Sequence, residues 1–200
     1  LWSAVDGPVA LPGPYSVRLT VDGQSRTASF RILKDPRVAD VTEADLRAQF
    51  ELGMQVRDRL DQTTGTAAAI RELRAAIDSR MREANERTVS SRGETLKARL
   101  REVEEALYMV DAQSTQHAVH LGVRLASQLA GLLNRVVESA DAQPTGQAQA
   151  VFQELSKRLD GEIAKLRQVL TTELPRLNDA RRARGLAPIE APARLMGIVE

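Results

Sequence analysis

The stretch GPYSVRLTVDGQSRTASFRI, residues 13–32, alternates apolar and polar residues around a central Asp22-Gly23. Tyr15, Val17, Leu19 and Val21 fall on one side of an extended chain, and Ser16, Arg18 and Thr20 on the other. Asp-Gly is a strong hairpin signal, because a two-residue primed turn needs positive φ at both central positions. Ala28, Phe30 and Ile32 continue the alternation on the return strand against Ser29, Arg31 and Leu33, less regularly. The stretch predicts a β-hairpin with one apolar face. A lone two-stranded hairpin is marginal in water, so that face predicts a further sheet layer. Upstream, only Leu1-Trp2 and Val9-Ala10-Leu11 are apolar enough to contribute, too little for a sandwich of about seven strands. The chain opens at Leu1, not at Met. The expectation is a chain cut from a larger protein whose preceding strands complete the sheet.

After the hairpin the period changes. Lys34-Asp35-Pro36-Arg37 closes the strand region, since Pro36 has no ladder N–H and steers Asp35 away from helix. Thr42-Glu43-Ala44-Asp45 has capping-box spacing with Asp in the acidic place. Leu46, Phe50, Met54 (or Gly53), Leu60, Ala67, Ile70, Leu73, Ile77, Met81 and Ala84 then mark a helical stripe. It predicts one helix over 43–88, roughly 65 Å long, with a weak point at Thr63-Thr64-Gly65-Thr66, where propensity is poor and a kink or break is expected. Ser91-Arg92-Gly93-Glu94 reads as a second capping box. It opens a helix carrying Leu96, Leu100, Val103, Leu107 and Val110. Residues 111–116 read as a loop. A third helix carries Leu121, Leu125, Leu129, Leu132 and Val136 inward. Residues 139–143 form the next loop, and Pro144-Thr145 suits a helix start. The fourth helix carries Phe152, Leu155, Leu159, Ile163, Leu166, Leu170, Leu174 and Leu177, with a kink or break expected at Pro175. Gly185, Leu186 and Pro188 form a C-cap signature.

Short connections make neighbouring helices antiparallel. The expected fold is mainly α: an antiparallel four-helix bundle with two long outer helices, preceded by the hairpin. The bundle would take the C-terminal half of helix one, both short helices and the N-terminal half of helix four. The remaining halves would continue as a two-helix stalk towards the hairpin. The expected boundaries are 1–36 for the strands, 37–188 for the helical bundle and 189–200 for a tail.

Composition narrows the function classes. The 200 residues are 42% apolar but only 3% aromatic, which suits helices packed through aliphatic layers. The formal net charge is +1 with acids and bases interspersed, whereas a nucleic-acid footprint needs a concentrated basic face. There is no cysteine, hence no disulfide framework and no thiol chemistry. No apolar run reaches the ~18 residues of a membrane span.

Candidate chemistry is sparse. His117 and His120 stand at i, i+3 near a helix start, a spacing that can form one edge of a metal site. They are the only two histidines, and two ligands leave a tetrahedral zinc half-coordinated. The reading adopted is two polar residues at a helix terminus. Arg181, Arg182 and Arg184 could meet a phosphate or an anionic surface, but a solvated last turn complementing the helix dipole is preferred. The carboxylates are spread along polar faces, with no pair singled out as acid and base. Glycine-rich phosphate loops and a serine elbow are absent. No catalytic, cofactor-binding or metal-ligating residue is assigned, and no cofactor is expected.

Several stretches taken in order carry a resemblance. Gly7-Pro8-Val9-Ala10-Leu11-Pro12-Gly13 precedes the first strand, and Lys34-Asp35-Pro36-Arg37 and Ala44-Asp45-Leu46-Arg47-Ala48-Gln49-Phe50 follow the hairpin. Glu105-Ala106-Leu107-Tyr108, residues 136–145 and Val151-Phe152-Gln153-Glu154-Leu155 continue the set, which ends with Leu174-Pro175-Arg176-Leu177-Asn178 and Arg184-Gly185-Leu186-Ala187-Pro188. Together they resemble the C-terminal region of bacterial sortilin-like, BNR (Asp-box) repeat β-propeller proteins, often labelled glycosyl hydrolases. The resemblance implies a propeller, then an immunoglobulin-like domain ending in residues 1–36, then this helical region, in an exported (periplasmic or secreted) bacterial protein. The Asp-box pattern itself does not occur in these residues, so no catalytic residue is carried over. The sequence departs from the family's pattern at Thr63-Thr64-Gly65-Thr66 and at 116–120.

The expected role is a non-catalytic structural or interaction module, not itself an enzyme. Its expected partners are the propeller and immunoglobulin-like strands of the same protein, with a protein partner or a second copy also possible. One alternative is an accessory region completing the parent's active or binding site through the 111–117 and 139–144 loops. The other is a free-standing helical adaptor.

Overall fold

The computed structural model describes residues 7–84, 87–108, 124–137 and 139–199. Val110, Leu121, the 111–117 loop, His117 and His120 fall outside the described residues, as do Leu1 and Trp2. The chain is mainly helical. Strands β1 (Gly13–Val21) and β2 (Gln24–Ile32) form the hairpin, followed by α1 (Glu43–Ala84), α2 (Arg87–Leu107), α3 (Leu125–Val137), α4 (Gly146–Arg182) and α5 (Ala193–Val199). Among the described residues no helix is long and apolar enough to cross a membrane.

The start of α1 is the reciprocal cap expected. The Thr42 N–H donates to Asp45 Oδ2 at 2.9 Å, and the Asp45 N–H donates back to Thr42 Oγ1 at 3.1 Å. The helix then runs unbroken through the threonine-glycine stretch. Thr63 and Thr64 donate their hydroxyls to the carbonyls of Arg59 and Leu60, four residues back, which keeps these side chains from competing with the helix. Gly65 lies under α5: a Cβ built on it would come within 2.0 Å of Arg194 Nη1. Poor local propensity is overridden by packing. The buried face also differs from the expected stripe. Leu52 and Val56 are buried while Phe50 is only partly so, and of the pair Met54 (or Gly53) it is Gly53 that is buried. Val56, Thr63, Ile70 and Ile77 recur every seven residues and all are buried, a repeat masked in the sequence by the hydroxyl of Thr63.

The second helix starts earlier than expected. It begins at Arg87, so Ser91-Arg92-Gly93-Glu94 lies inside it and is not a cap. Gly93 is buried there because α1 and α2 approach closely: a Cβ on it would come within 2.1 Å of Met81 Sδ. Helix α4 opens as expected on Thr145, whose Oγ1 accepts the Ala148 N–H at 3.1 Å. It passes Pro175 without a break and ends at Arg182, with Leu174 and Leu177 buried on either side of the proline. Beyond it, Leu186 N–H reaches Arg181 O and Gly185 N–H reaches Arg182 O, with Gly185 at φ 71°, the paired bonds of a Schellman end.

The helices assemble differently from the expected bundle. Arg71 and Asp78 of α1 meet Glu104 and Lys97 of α2, so sequence separation falls along the contact, from 33 to 19, and the pair is antiparallel. Arg59 meets Asp160, and Arg181 meets the Arg80 carbonyl, both 101 residues apart. A constant separation makes α1 and α4 parallel. Helix α3 joins α4 through a short loop and runs antiparallel to both, against the N-terminal part of α1, where Gln49 Nε2 donates to Val136 O at 2.9 Å. Thus α2 and α3 follow one another along the α1–α4 pair, barely touching each other. Each level holds three described helices, and no bare two-helix stalk leads to the hairpin.

The segment expected as a tail is seated in the structure. Ile189 is buried, and its N–H and carbonyl are both held by the Asn178 amide, at 2.7 and 2.9 Å. Leu195 is fully buried where α5 touches α1 and α4.

The α1–α2 contact carries a buried charge. Glu104 is 0% exposed and accepts from Arg71 Nε and Arg74 Nη1. The Arg71 guanidinium also sits 4.9 Å from the Tyr108 ring centre. Removing one partner of a buried pair typically costs about 3–5 kcal/mol, and the partial exposure of Arg71 and Arg74 moves this case to the low end. Glu104→Ala is therefore expected to lower the unfolding free energy by about 3 kcal/mol in urea titrations; a change within ~0.5 kcal/mol would show the cluster to be energetically neutral. Leu195→Ala is expected to raise amide exchange across 193–199 while α2 keeps its protection, since α5 is a short docked element.

Candidate functional site

The two-residue turn is built as its sequence requires. Asp22 and Gly23 have φ of 50° and 78°, the pair of positive values of a primed turn. The register follows: Tyr15 faces Phe30, Val17 faces Ala28, Leu19 faces Arg26 and Val21 faces Gln24. These pairs share one face. The Tyr15 and Phe30 rings stack with centroids 5.9 Å apart. The other face carries Ser16–Ser29, Arg18–Thr27 and Thr20–Ser25.

The apolar face is uncovered. Leu19 is 65% exposed and Phe30 48%, and among the described residues no helix makes a contact with either strand's backbone. Among the described residues it is the root of the hairpin that is anchored. The Tyr15 hydroxyl donates to Leu11 O at 2.7 Å. Pro8 lies against Gly53 of α1. A cavity of about 230 Å³ lies between this root and the helices, bordered by Leu11, Ile32, Leu46, Phe50 and Val136. Lys34 Nζ donates to the carbonyls of Ala39 and Val41. Asp35 accepts the Arg37 guanidinium at 2.7 Å and the Arg37 backbone N–H at 2.9 Å. Side-chain bonding to Arg37, then its backbone N–H, holds the Asp35 carboxyl down at about 2. Bonding to the Thr42 hydroxyl and backbone N–H likewise lowers Asp45.

A second concavity of about 790 Å³ opens between α3 and α4. Leu132, Val136, Val151 and Leu155 form its wall, and the loop residues Ser139, Ala142, Gln143 and Pro144 form one lip. One of the two loops singled out in the sequence thus borders a groove. Among the described residues its lining carries glutamines, two arginines and hydroxyls, with no Asp, Glu or His.

The arginine run after residue 180 is divided. Arg181, expected in a solvated turn, is 1% exposed and donates to Ala187 O at 2.7 Å and Arg80 O at 2.9 Å. Burial at that position was not legible from the run itself; the Leu170, Leu174, Leu177 spacing extended by one turn reaches Arg181 and was the available signal. Arg182 pairs with Asp179 at 2.8 Å. The structure thus brings together the hairpin face and its anchored root, and it does not assemble the arginines into one anion-facing cluster.

No family model matches the chain, and neither a curated protein nor a solved structure matches it.

Two expectations follow from this geometry. Removing residues 1–36 is expected to leave the helices folded, with circular dichroism near that of the parent chain, because the strands contribute nothing to the helical core; collapse of helicity would make the hairpin part of that core. The folded Asp35 carboxyl titrates near 2 against its ordinary 3.8, so its contribution is fully present above about pH 4 and lost as pH falls towards 2. NMR at falling pH is expected to show the Arg37 amide losing protection across that window while α1 and α2 remain folded.

Proposed function

We propose that this chain is a non-catalytic module at the C-terminal side of a larger exported bacterial protein. That parent would be of the sortilin-like, BNR-repeat β-propeller kind, often labelled glycosyl hydrolase. In this reading the hairpin forms the closing strands of an immunoglobulin-like sandwich, and the helical part packs behind it. The observation that carries the reading is the contrast between the two parts. The helices bury their own stripes from Leu52 to Leu195. The hairpin, anchored at its root, holds Tyr15, Val17, Leu19, Val21 and Phe30 in solvent. An exposed apolar sheet face on an otherwise covered domain marks an interaction surface. The second reading, an accessory region completing a site of the parent, is favoured by one feature: the 139–144 loop at the lip of the α3–α4 groove.

The test is the longer polypeptide read from the gene upstream of Leu1. With those residues attached, amide exchange and tyrosine fluorescence are expected to show the hairpin protected and Tyr15 removed from water. An upstream region without strand-forming sequence, or an unchanged hairpin, would sink the reading. The accessory reading instead requires that 139–144 substitutions change the parent's turnover.

A further inference from the structure

The hairpin has two edges, and they differ. In a two-residue primed turn the closing pair is hydrogen-bonded, so Val21–Gln24 and every second pair from it bond inward. The outward backbone groups are then those of Pro14, Ser16, Arg18 and Thr20 on β1, and of Ser25, Thr27, Ser29 and Arg31 on β2. The β1 edge opens with a proline, which has no N–H to offer. The β2 edge presents four N–H donors in succession.

Charge distinguishes the edges further. Residues 13–32 hold three arginines and a single acid, Asp22, at the tip. Arg18, Arg26 and Arg31 are exposed, and among the described residues no ion pair or hydrogen bond involves their side chains. Two of the three are on β2. Arg26 projects on the apolar face beside Ala28 and Phe30, and Arg31 on the polar face. Five residues separate them, about 17 Å along the strand. A second copy laid antiparallel on this edge at full overlap would set Arg26 opposite Phe30 and Arg31 opposite Ser25, and so would offer neither arginine a carboxylate.

We propose that the β2 edge accepts one further strand, an acidic and apolar segment that adds to the sheet by main-chain pairing. This rests on the module reading above and takes its occupant from the preceding part of the same longer polypeptide. The added strand carries β-branched residues beside Ala28 and Phe30, which extends the apolar face. It carries one carboxylate beside Arg26 on that face and another beside Arg31 on the opposite face. Opposite charges across strands are favourable and like charges unfavourable, so the two arginines set both the register of the incoming strand and its sign.

The probe is a capped nine-residue peptide, Val-Glu-Val-Thr-Val-Thr-Glu-Thr-Val, which places its glutamates beside Arg31 and Arg26 when antiparallel to β2. Added to the 200-residue chain, it is expected to slow amide exchange at Ser25, Thr27, Ser29 and Arg31 and to leave Ser16, Arg18 and Thr20 unchanged. Replacing both glutamates by lysine is expected to weaken binding roughly tenfold, as two attractive cross-strand pairs become repulsive. Thr27→Pro is expected to abolish the protection, and Arg18→Pro to leave it intact. Inward amides such as Val17 and Ala28 report in each variant that the hairpin has formed. Protection on the β1 edge, equal binding of the lysine peptide, or protection that grows with chain concentration without peptide would overturn the proposal, the last in favour of self-pairing. No binding at millimolar peptide overturns it as well. If the longer polypeptide still buries Tyr15 and Phe30 in that case, the edge assignment falls and the module reading stands.

Discussion

The apolar stripe of α1 runs from Leu46 to Ile77, and the placement of the other helices follows from covering it. Forty-two residues make α1 about 63 Å long. Helix α2 spans about 31 Å and α3 about 20 Å, so neither covers the stripe alone. Set end to end in the same direction, they do. Helix α3 ends beside Gln49, near the start of α1, and α4 begins there. It can only run back the way α1 runs, along both short helices. The parallel α1–α4 pair is a consequence of that covering.

Leucine layers hold helices together without specifying how far one has slid along another. Polar bonds at fixed places do specify it. Glu104 sits fully buried between α1 and α2 with two guanidinium donors, and a slide of one turn would strand that charge. Arg181 reads two carbonyls, one on α1 and one beyond the end of α4. Asn178 closes on both backbone groups of Ile189. These contacts explain how residues past the end of α4 are returned to the bundle, and why Leu195 reaches a buried seat.

The hairpin presents the opposite condition. Its internal geometry is complete, with primed turn, register and stacked aromatic pair, yet among the described residues its apolar face is exposed and no further strand pairs with either edge. Lys34, Asp35 and Arg37 tie down the connection to α1, so the uncovered face is held in place. That combination of a tied root and an unsatisfied sheet is what directs the functional reading to the hairpin and away from the helices.

Local chemistry was enough to define most of the elements, though not α5 or the start of α2. Asp22-Gly23 announced the turn, alternation announced both strands, Thr42 with Asp45 announced the start of α1, and Thr145 announced that of α4. Each of these depends on groups within a few residues of one another. Ser91-Arg92-Gly93-Glu94 misled because a cap pattern is silent about whether the preceding turn is already helical. Gly93 serves instead the close approach of Met81 from another helix. Thr63 to Thr66 looked weak because propensity does not register α5 lying across Gly65. The direction of α4, the burial of Glu104 and Arg181 and the seating of Leu195 were settled only in three dimensions. Each depends on which distant surface remains to be covered once α1 and its two short partners have packed.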